Sequence, residues 1–135
     1  MNVPRTDESA HARPQVVVID DDESVRESLP DLLREFGCDV TAFSSAGDYL
    51  ATGLASHTDC LFLDFTMPGM SGMDLQRELA AREYDIPIVY ITANEDRSLR
   101  PRVLRAGAID CLFKPFSDTA LREALCAAIG SRGCP

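Results

Sequence analysis

Polar side chains follow four apolar runs of this sequence at the point where each run ends. Asp20 and Asp21 come directly after QVVVI, and Asp64 comes after CLFL. Thr92 closes IPIVYIT, and Lys114 follows IDCLF. Carboxylates, a hydroxyl and an ammonium group are the set that can bind a hard cation and a phosphate. If the fold brings them together, the chemistry open to them is phosphoryl transfer.

The three aspartates differ in what they could contribute. Carboxylates held close together repel one another, so a cation or a proton must compensate their charge. Mg²⁺ binds oxygen ligands and keeps several waters, which suits the adjacent pair Asp20 and Asp21. Asp64 stands alone after its run and is the candidate nucleophile for an aspartyl phosphate. Lys114 and Thr92 would contact phosphate oxygens, since this chemistry needs mainly positioning and charge neutralisation.

The elements that must position these groups alternate between apolar runs and amphipathic segments. The apolar runs predict strands at 15–19, 39–43, 60–63, 86–92 and 109–113. Helical spacing of apolar residues predicts helices at 23–36, from a Ser44 cap through 50, at 73–82, at 99–106, and from a Ser117 cap through 129. This alternation indicates an α/β fold with a parallel sheet covered on both faces. Sites in such sheets form at the carboxyl ends of the strands, where the polar groups fall.

Length and charge limit the classes of protein to consider. The 135 residues fit one domain, for which we predict a disordered N-terminal tail at 1–14, a domain at 15–130 and a C-terminal tail at 131–135. The net charge of -9 opposes direct binding to nucleic acid and to anionic membrane surfaces. We therefore expect neither nucleic acid nor a membrane among the direct partners.

Cysteine usage and the lack of export signals indicate a location. The five cysteines are odd in number and form no CxxC pair, which favours reduced thiols. No apolar run is long enough to span a bilayer, and the first residues lack the apolar core of a signal peptide. We expect a cytoplasmic protein.

Four segments carry a resemblance to a known family. They are VVVIDDDESVRESL, LFLDFTMPGMSGMDL, IVYITA and AGAIDCLFKPF, in this order along the chain. Together they resemble the receiver domain of two-component response regulators, from Val16 to about Ile129, and within it the branch of nitrogen-fixation regulators. The resemblance implies a doubly wound, flavodoxin-like fold of five parallel strands in the order 2-1-3-4-5.

The resemblance also implies a function and a metal site. Asp64 would accept a phosphoryl group from a sensor histidine kinase or a histidine phosphotransfer protein. Mg²⁺ would be held by the carboxylates of Asp21 and Asp64 and the backbone carbonyl of Thr66, with Asp20 acting through water. Phosphorylation would change the binding of an unidentified downstream protein. Such a chain is a phosphoacceptor and not an enzyme, beyond self-phosphorylation from small donors and autodephosphorylation.

The sequence departs from the family beside the expected phosphoryl contacts. The resemblance implies that Thr92 and Lys114 contact the phosphoryl group and that the Lys114–Pro115 peptide bond is cis. Receivers usually carry Tyr or Phe three residues before this lysine, and that ring rotates inward on phosphorylation. Here the position is Cys111, which cannot make the movement with a comparable area. Phe113 has the same strand parity, so we hypothesise that it substitutes in part.

Other functions can be weighed against particular residues. A degenerate receiver that signals without phosphorylation is favoured by Cys111 and opposed by the intact acidic and lysine set. A phosphatase of the haloacid dehalogenase type needs a second aspartate two residues after the nucleophile, where this chain has Thr66. A flavodoxin would need a hydroxyl- and glycine-rich loop after the first strand, and this chain has no such loop there. A stand-alone receiver is slightly favoured over part of a longer DNA-binding regulator, and the resemblance allows a homodimer through the last two helices and strand.

Overall fold

Five parallel strands form the centre of the molecule. The computed structural model describes residues 13–130. The strands are β1 (Gln15–Ile19), β2 (Asp39–Phe43), β3 (Cys60–Asp64), β4 (Ile88–Thr92) and β5 (Asp110–Phe113). They lie in the order β2-β1-β3-β4-β5, and each neighbouring pair is parallel. The predicted doubly wound α/β fold with strand order 2-1-3-4-5 is confirmed.

Helices cover both faces of this sheet. They are α1 (Glu23–Glu35), α2 (Ala46–Thr52), α3 (Gly72–Ala81), α4 (Leu99–Arg105) and α5 (Asp118–Ile129), with a 3-10 helix (Leu54–His57) after α2. Buried side chains form one hydrophobic cluster between the sheet and α2, α3 and α4, and another between the sheet and α1 and α5. Because both faces are covered, the strand ends are where polar groups become accessible.

The register of the strands brings their carboxyl ends to one level. Ile19 lies opposite Leu63 in the β1–β3 pair, so Asp20 and Asp64 follow side by side. In the β3–β4 pair the partner of Asp64 is the residue just before Thr92. The polar residues predicted for the site are therefore neighbours by backbone placement alone.

Several predicted boundaries differ from the structure by one residue, and those of α2 and β4 differ for identifiable reasons. Ser45, and not Ser44, caps α2: its backbone is extended and its hydroxyl oxygen accepts the backbone N–H of Asp48 at 3.1 Å. The helix also runs beyond the predicted end at 50. β4 begins at Ile88 and not at 86. The physical reason is Pro87, which has no N–H to donate to a sheet ladder.

The cysteines agree with the sequence prediction only in part. Cys38, Cys60 and Cys111 are free thiols buried in the core. Cys126 is half-buried on α5 and takes part in a disulfide bond, so the expectation of reduced thiols is wrong at this residue.

The predicted tails lie almost wholly outside the described residues. Only 13 and 14 of the predicted N-terminal tail are described, and 131–135 are not. Across residues 13–130, none of the helices is long and apolar enough to cross a membrane.

Candidate functional site

Asp20 is the most deeply buried acid of the described residues. It is 0% exposed, and its backbone N–H donates to the carbonyl oxygen of Phe43 at 3.1 Å. Its carbonyl oxygen accepts Nη1 of Arg26 at 2.9 Å. Its carboxylate accepts the backbone N–H of Asp22 at 2.9 Å and Nζ of Lys114 at 2.8 Å. A buried carboxylate is tolerated here because it is paired and hydrogen-bonded.

Asp21 and Asp22 lead from β1 into α1 with different surroundings. Asp21 is exposed at the edge of the site. Asp22 is the N-cap of α1, and its Oδ1 accepts the hydroxyl of Ser24 at 2.8 Å and the backbone N–H of Ser24 at 3.0 Å. These hydrogen bonds lower the pKa of Asp22. Of the three consecutive aspartates, Asp22 is therefore the one engaged at the helix entry.

Asp64, the last residue of β3, lies where its charged form is disfavoured. Only 6% of the residue is exposed. Burial, followed by the negative charge of Asp20, raises the pKa of Asp64 to about 7, against the attraction of Lys114. The backbone N–H of Thr66 lies 3.4 Å from Oδ1 of Asp64. A cation bound beside Asp64 would favour its ionised, nucleophilic form.

The backbone after Asp64 is held in place by a close approach to α3. The N–H of Phe65 donates to the carbonyl oxygen of Ile91 at 3.0 Å, and the N–H of Gly72 donates to that of Phe65 at 3.3 Å. A Cβ at Gly72 would lie 2.7 Å from the carbonyl oxygen of Asp64 and 2.8 Å from Cε1 of Tyr90. Only glycine fits this contact. The sequence analysis missed Gly72, whose one signal is a small residue just after the MPGMS turn.

Thr92 and Lys114 reach the site from the ends of β4 and β5. Thr92 is 1% exposed, and its hydroxyl oxygen accepts the backbone N–H of Asn94 at 3.0 Å. The N–H of Lys114 donates to the carbonyl oxygen of Thr92 at 2.8 Å. The Lys114–Pro115 peptide bond is cis, as the resemblance implies. Thr92 and Lys114 line the same cavity as Asp64.

The residues predicted for the site converge on one cavity of about 480 Å³. Carboxylate oxygens of three aspartates lie within 4.8 Å of one another. Such a group of oxygen ligands suits a hard divalent cation of the Mg²⁺ type. The cavity also touches Asn94, through the loop after β4. The predicted residues that line it are Asp20, Asp21, Asp64, Thr66, Thr92 and Lys114.

Cys111 is not part of this cavity. It is buried beneath the surface and lies opposite Tyr90 in the β4–β5 pair. Burial raises the pKa of its thiol, which opposes thiolate reactivity. Phe113 is half-buried, and the guanidinium carbon of Arg97 lies 4.2 Å from the centre of its ring. The aromatic ring nearest in register to Cys111 is that of Tyr90, which the sequence analysis did not single out.

Comparison of the sequence with known families and proteins gives a consistent result. Residues 16–126 match the family model described as the response regulator receiver domain. Nodulation protein W of Bradyrhizobium diazoefficiens is 43% identical over 119 residues, which are 88% of this chain and 52% of that protein. Transcriptional regulatory protein FixJ of Azorhizobium caulinodans is 41% identical over 115 residues, which are 85% and 54% of the two chains. The chain spans about half the length of these relatives.

Solved structures show the same fold. The response regulator StyR superposes with a TM-score of 0.79 at 46% identity, covering 87% of this chain and 60% of that one. FixJ-N superposes with a TM-score of 0.78 at 35% identity, covering 89% and 96%. The similarity to FixJ and to nodulation protein W agrees with the predicted nitrogen-fixation branch.

Proposed function

Because the chain belongs to the receiver domain family of response regulators, we propose that it is a phosphorylation-switched signalling module whose Asp64 accepts the phosphoryl group. Receiver domains are signalling phosphoacceptors and not classical enzymes. The observation that carries the proposal is the setting of Asp64. It is a nearly buried carboxylate at a strand end, close to the carboxylates of Asp20 and Asp21, and it shares one cavity with Lys114.

The donor set fits Mg²⁺. The oxygens of Asp20, Asp21 and Asp64 are close enough to share a cation, and the like charge of Asp20 helps to raise the pKa of Asp64. Asp21, Asp64 and the backbone carbonyl of Thr66 would hold the ion, and Asp20 would act through water. When bound, Mg²⁺ supplies the positive charge that keeps these carboxylates ionised and offsets the charge of the phosphoryl oxygens.

The proposed reaction is a displacement at phosphorus. A carboxylate oxygen of Asp64 forms a bond to phosphorus, and the bond to the donor breaks, with the electron pair leaving on the donor. Lys114 would pair with a phosphoryl oxygen, and the hydroxyl of Thr92 would donate to another. Nζ of Lys114 lies 2.8 Å from the carboxylate of Asp20, which supports a role for this ammonium group at the site. The contribution of these residues is positioning and charge neutralisation.

Receiver domains of response regulators interact with histidine kinases, which supports a sensor histidine kinase or a histidine phosphotransfer protein as donor. The leaving group is then the imidazole of the phosphohistidine. We place the exchange in the cytoplasm. The net charge of -9 supports protein partners over direct contact with nucleic acid.

The range 15–130 is proposed as the receiver unit, since β1 begins at Gln15 and α5 ends at Ile129. FixJ is named a transcriptional regulatory protein, and this chain spans about half of it. We propose by analogy that phosphorylation changes a contact made by this unit, with any DNA binding supplied by another part or partner. A homodimer through α4, β5 and α5 is a further proposal, and sedimentation with and without beryllium fluoride tests it.

The test of the proposed function is the intact mass after incubation with acetyl phosphate and Mg²⁺. We expect a single phosphoryl adduct that is absent in Asp64→Asn and in the presence of a chelator. Asp85→Asn, at an exposed carboxylate before β4, is the matched control and should be modified like the wild type. A folded wild type without an adduct would contradict the proposal.

Two alternatives make different predictions in the same assay. A degenerate receiver, which Cys111 favours, would show no adduct and would bind its partner unmodified. A haloacid dehalogenase-type phosphatase would turn over small phosphate esters with many cycles per chain. The residue two after Asp64 is Thr66, which lacks the carboxylate that such an enzyme uses as acid and base.

A further inference from the structure

An aromatic residue stands on β4 beside the place on β5 where receivers usually carry one. Cys111 lies opposite Tyr90 in the β4–β5 pair, and both side chains belong to the same hydrophobic cluster. Both residues are 0% exposed. Cys111 has a short side chain, and the large ring of its neighbour Tyr90 belongs to the same layer on this face of the sheet.

Tyr90 connects the residue after Asp64 with α3. Its ring packs edge-on against Phe65, with 5.7 Å between ring centres and an interplanar angle of 69°. The space for a side chain at Gly72 is filled on one side by the same ring. The hydroxyl of Tyr90 donates to Oε1 of Gln76 at 2.6 Å. The ring is therefore held between the end of β3 and helix α3.

Gln76 connects Tyr90 to the end of α4. Its Nε2 donates to the carbonyl oxygen of Ala106, the C-cap residue of α4, at 2.9 Å. The guanidinium carbon of Arg102, on α4, lies 5.4 Å from the centre of the Phe65 ring. Gln76 and Ala106 also line a cavity of about 180 Å³ between α3 and the residues that follow α4. Two contacts, Gln76 with Ala106 and Arg102 with Phe65, therefore connect α4 to α3 and to the end of β3. The cavity beside the first contact gives it room to change.

We propose that Tyr90 couples the state of the Asp64 site to the position of α4, through Phe65 and Gln76, in place of the aromatic that β5 lacks. The inference rests on the proposed function. Phe65 follows Asp64 directly, so a phosphoryl group that shifts the end of β3 moves the Phe65 ring against Tyr90. Since Tyr90 is enclosed in the core, the shift is passed to the hydroxyl and its hydrogen bond with Gln76.

The size of Cys111 makes this arrangement possible. An aromatic side chain at Cys111 would point to the same face as Tyr90, and two large rings would compete for one layer of a close-packed core. The cysteine and the tyrosine are therefore a matched pair. Cys111, which would otherwise favour a degenerate receiver, is then compatible with a receiver that responds to phosphorylation.

Amide hydrogen exchange of the whole chain, with and without beryllium fluoride and Mg²⁺, tests the coupling. In the wild type we expect changes in the β3–α3 segment and in α4. Tyr90→Phe keeps the ring and removes only the hydroxyl, and Gln76→Leu removes both hydrogen bonds. Each should reduce the α4 response by roughly fivefold or more and leave the β3–α3 response in place. Tyr84→Phe, at a half-buried tyrosine after α3, is the matched control.

The outcomes separate the coupling from the proposed function. An α4 response that is the same in the wild type, Tyr90→Phe and Gln76→Leu would overturn the coupling and leave the proposed function standing. A wild type that responds at β3–α3 but not at α4 would do the same. A wild type that responds nowhere would contradict the proposed function, and the coupling with it.

A double variant tests the pairing of the two strand positions. Tyr90→Val alone should lose the α4 response. Adding Cys111→Phe should restore it by returning the aromatic to β5, a route that does not need the hydrogen bond with Gln76, and a double variant without a response would contradict the pairing of the two positions. A Tyr90→Val variant with the full wild-type response would contradict the role of Tyr90. Thermal unfolding of each variant shows that it is folded at the temperature of the exchange measurement.

Discussion

Nζ of Lys114 lies 2.8 Å from Oδ2 of Asp20, a carboxylate that is 0% exposed. The pair joins the end of β5 to the end of β1, across the two strands between them. It compensates the charge of Asp20 in this part of the core. The ammonium group that the proposed reaction uses is therefore also a structural group.

Removing the ammonium group should destabilise the fold. We expect Lys114→Ala to lower the free energy of unfolding without Mg²⁺ by about 2 kcal/mol, because the buried carboxylate loses a charged hydrogen-bond donor. Added Mg²⁺ should recover part of the loss. Urea unfolding at pH 7 measures both effects.

The matched control for Lys114→Ala is the exposed pair of Arg34 and Asp31, whose side chains are 51% and 76% exposed. Arg34→Ala should change the free energy of unfolding by less than about 0.5 kcal/mol. Equal losses in Lys114→Ala and Arg34→Ala would show that the buried pair adds no special stability.

The raised pKa of Asp64 predicts how stability depends on pH. The pKa is about 7 in the folded state against an ordinary value of 3.8, so between these values the folded state binds more protons than the unfolded state. Stability without Mg²⁺ should therefore fall as the pH rises through this range. Asp64→Asn should flatten the profile and be more stable than the wild type at pH 8.

Thermal unfolding from pH 5 to pH 8 measures this dependence. Mg²⁺ should stabilise the wild type most at the upper end of the range, where the carboxylates are ionised. If the stability of the wild type and that of Asp64→Asn depended on pH in the same way, the prediction of a raised pKa at Asp64 would be contradicted.

Asp21 and Asp20 should respond differently to loss of charge. Asp21 is exposed, so Asp21→Asn should remove most of the Mg²⁺ affinity while leaving stability without Mg²⁺ unchanged or slightly higher. Asp20→Asn should lower both, because it also breaks the contact with Lys114. Calorimetric titration with Mg²⁺ gives the affinity. Undiminished binding by Asp21→Asn would remove Asp21 from the proposed ligand set.

The contact of Gly72 predicts a steric effect at the site. Gly72→Ala would place a Cβ 2.7 Å from the carbonyl oxygen of Asp64, so we expect a loss of about 1–3 kcal/mol and slower phosphorylation. Gly47→Ala, in α2 with nothing within 4 Å, is the matched control. It should be neutral or stabilising by up to about 1 kcal/mol, because alanine favours helix. Similar stabilisation by both substitutions would show that helix propensity decides both positions and would contradict the steric effect at Gly72.

The sequence alone determined the fold class, and it named nearly all of the residues that line the candidate site. The periodicity of short apolar runs is local, and a parallel sheet brings the residues after each run to one edge. That is why Asp64, Thr92 and Lys114 could be predicted from their places in the chain. The boundaries near Ser45 and Pro87 were predicted wrongly, because each depends on the hydrogen bonds of a single residue and not on the apolar pattern.

The tertiary structure alone decided which contacts these residues make. That Asp20 pairs with Lys114, 94 residues away, follows from strand order and register. The contacts of Tyr90 with Phe65 and Gln76 likewise depend on how a helix lies over the sheet. Packing of this kind is non-local, since it joins elements that local patterns specify separately. The sequence could therefore name the groups of the site, and only the folded chain shows how they are connected.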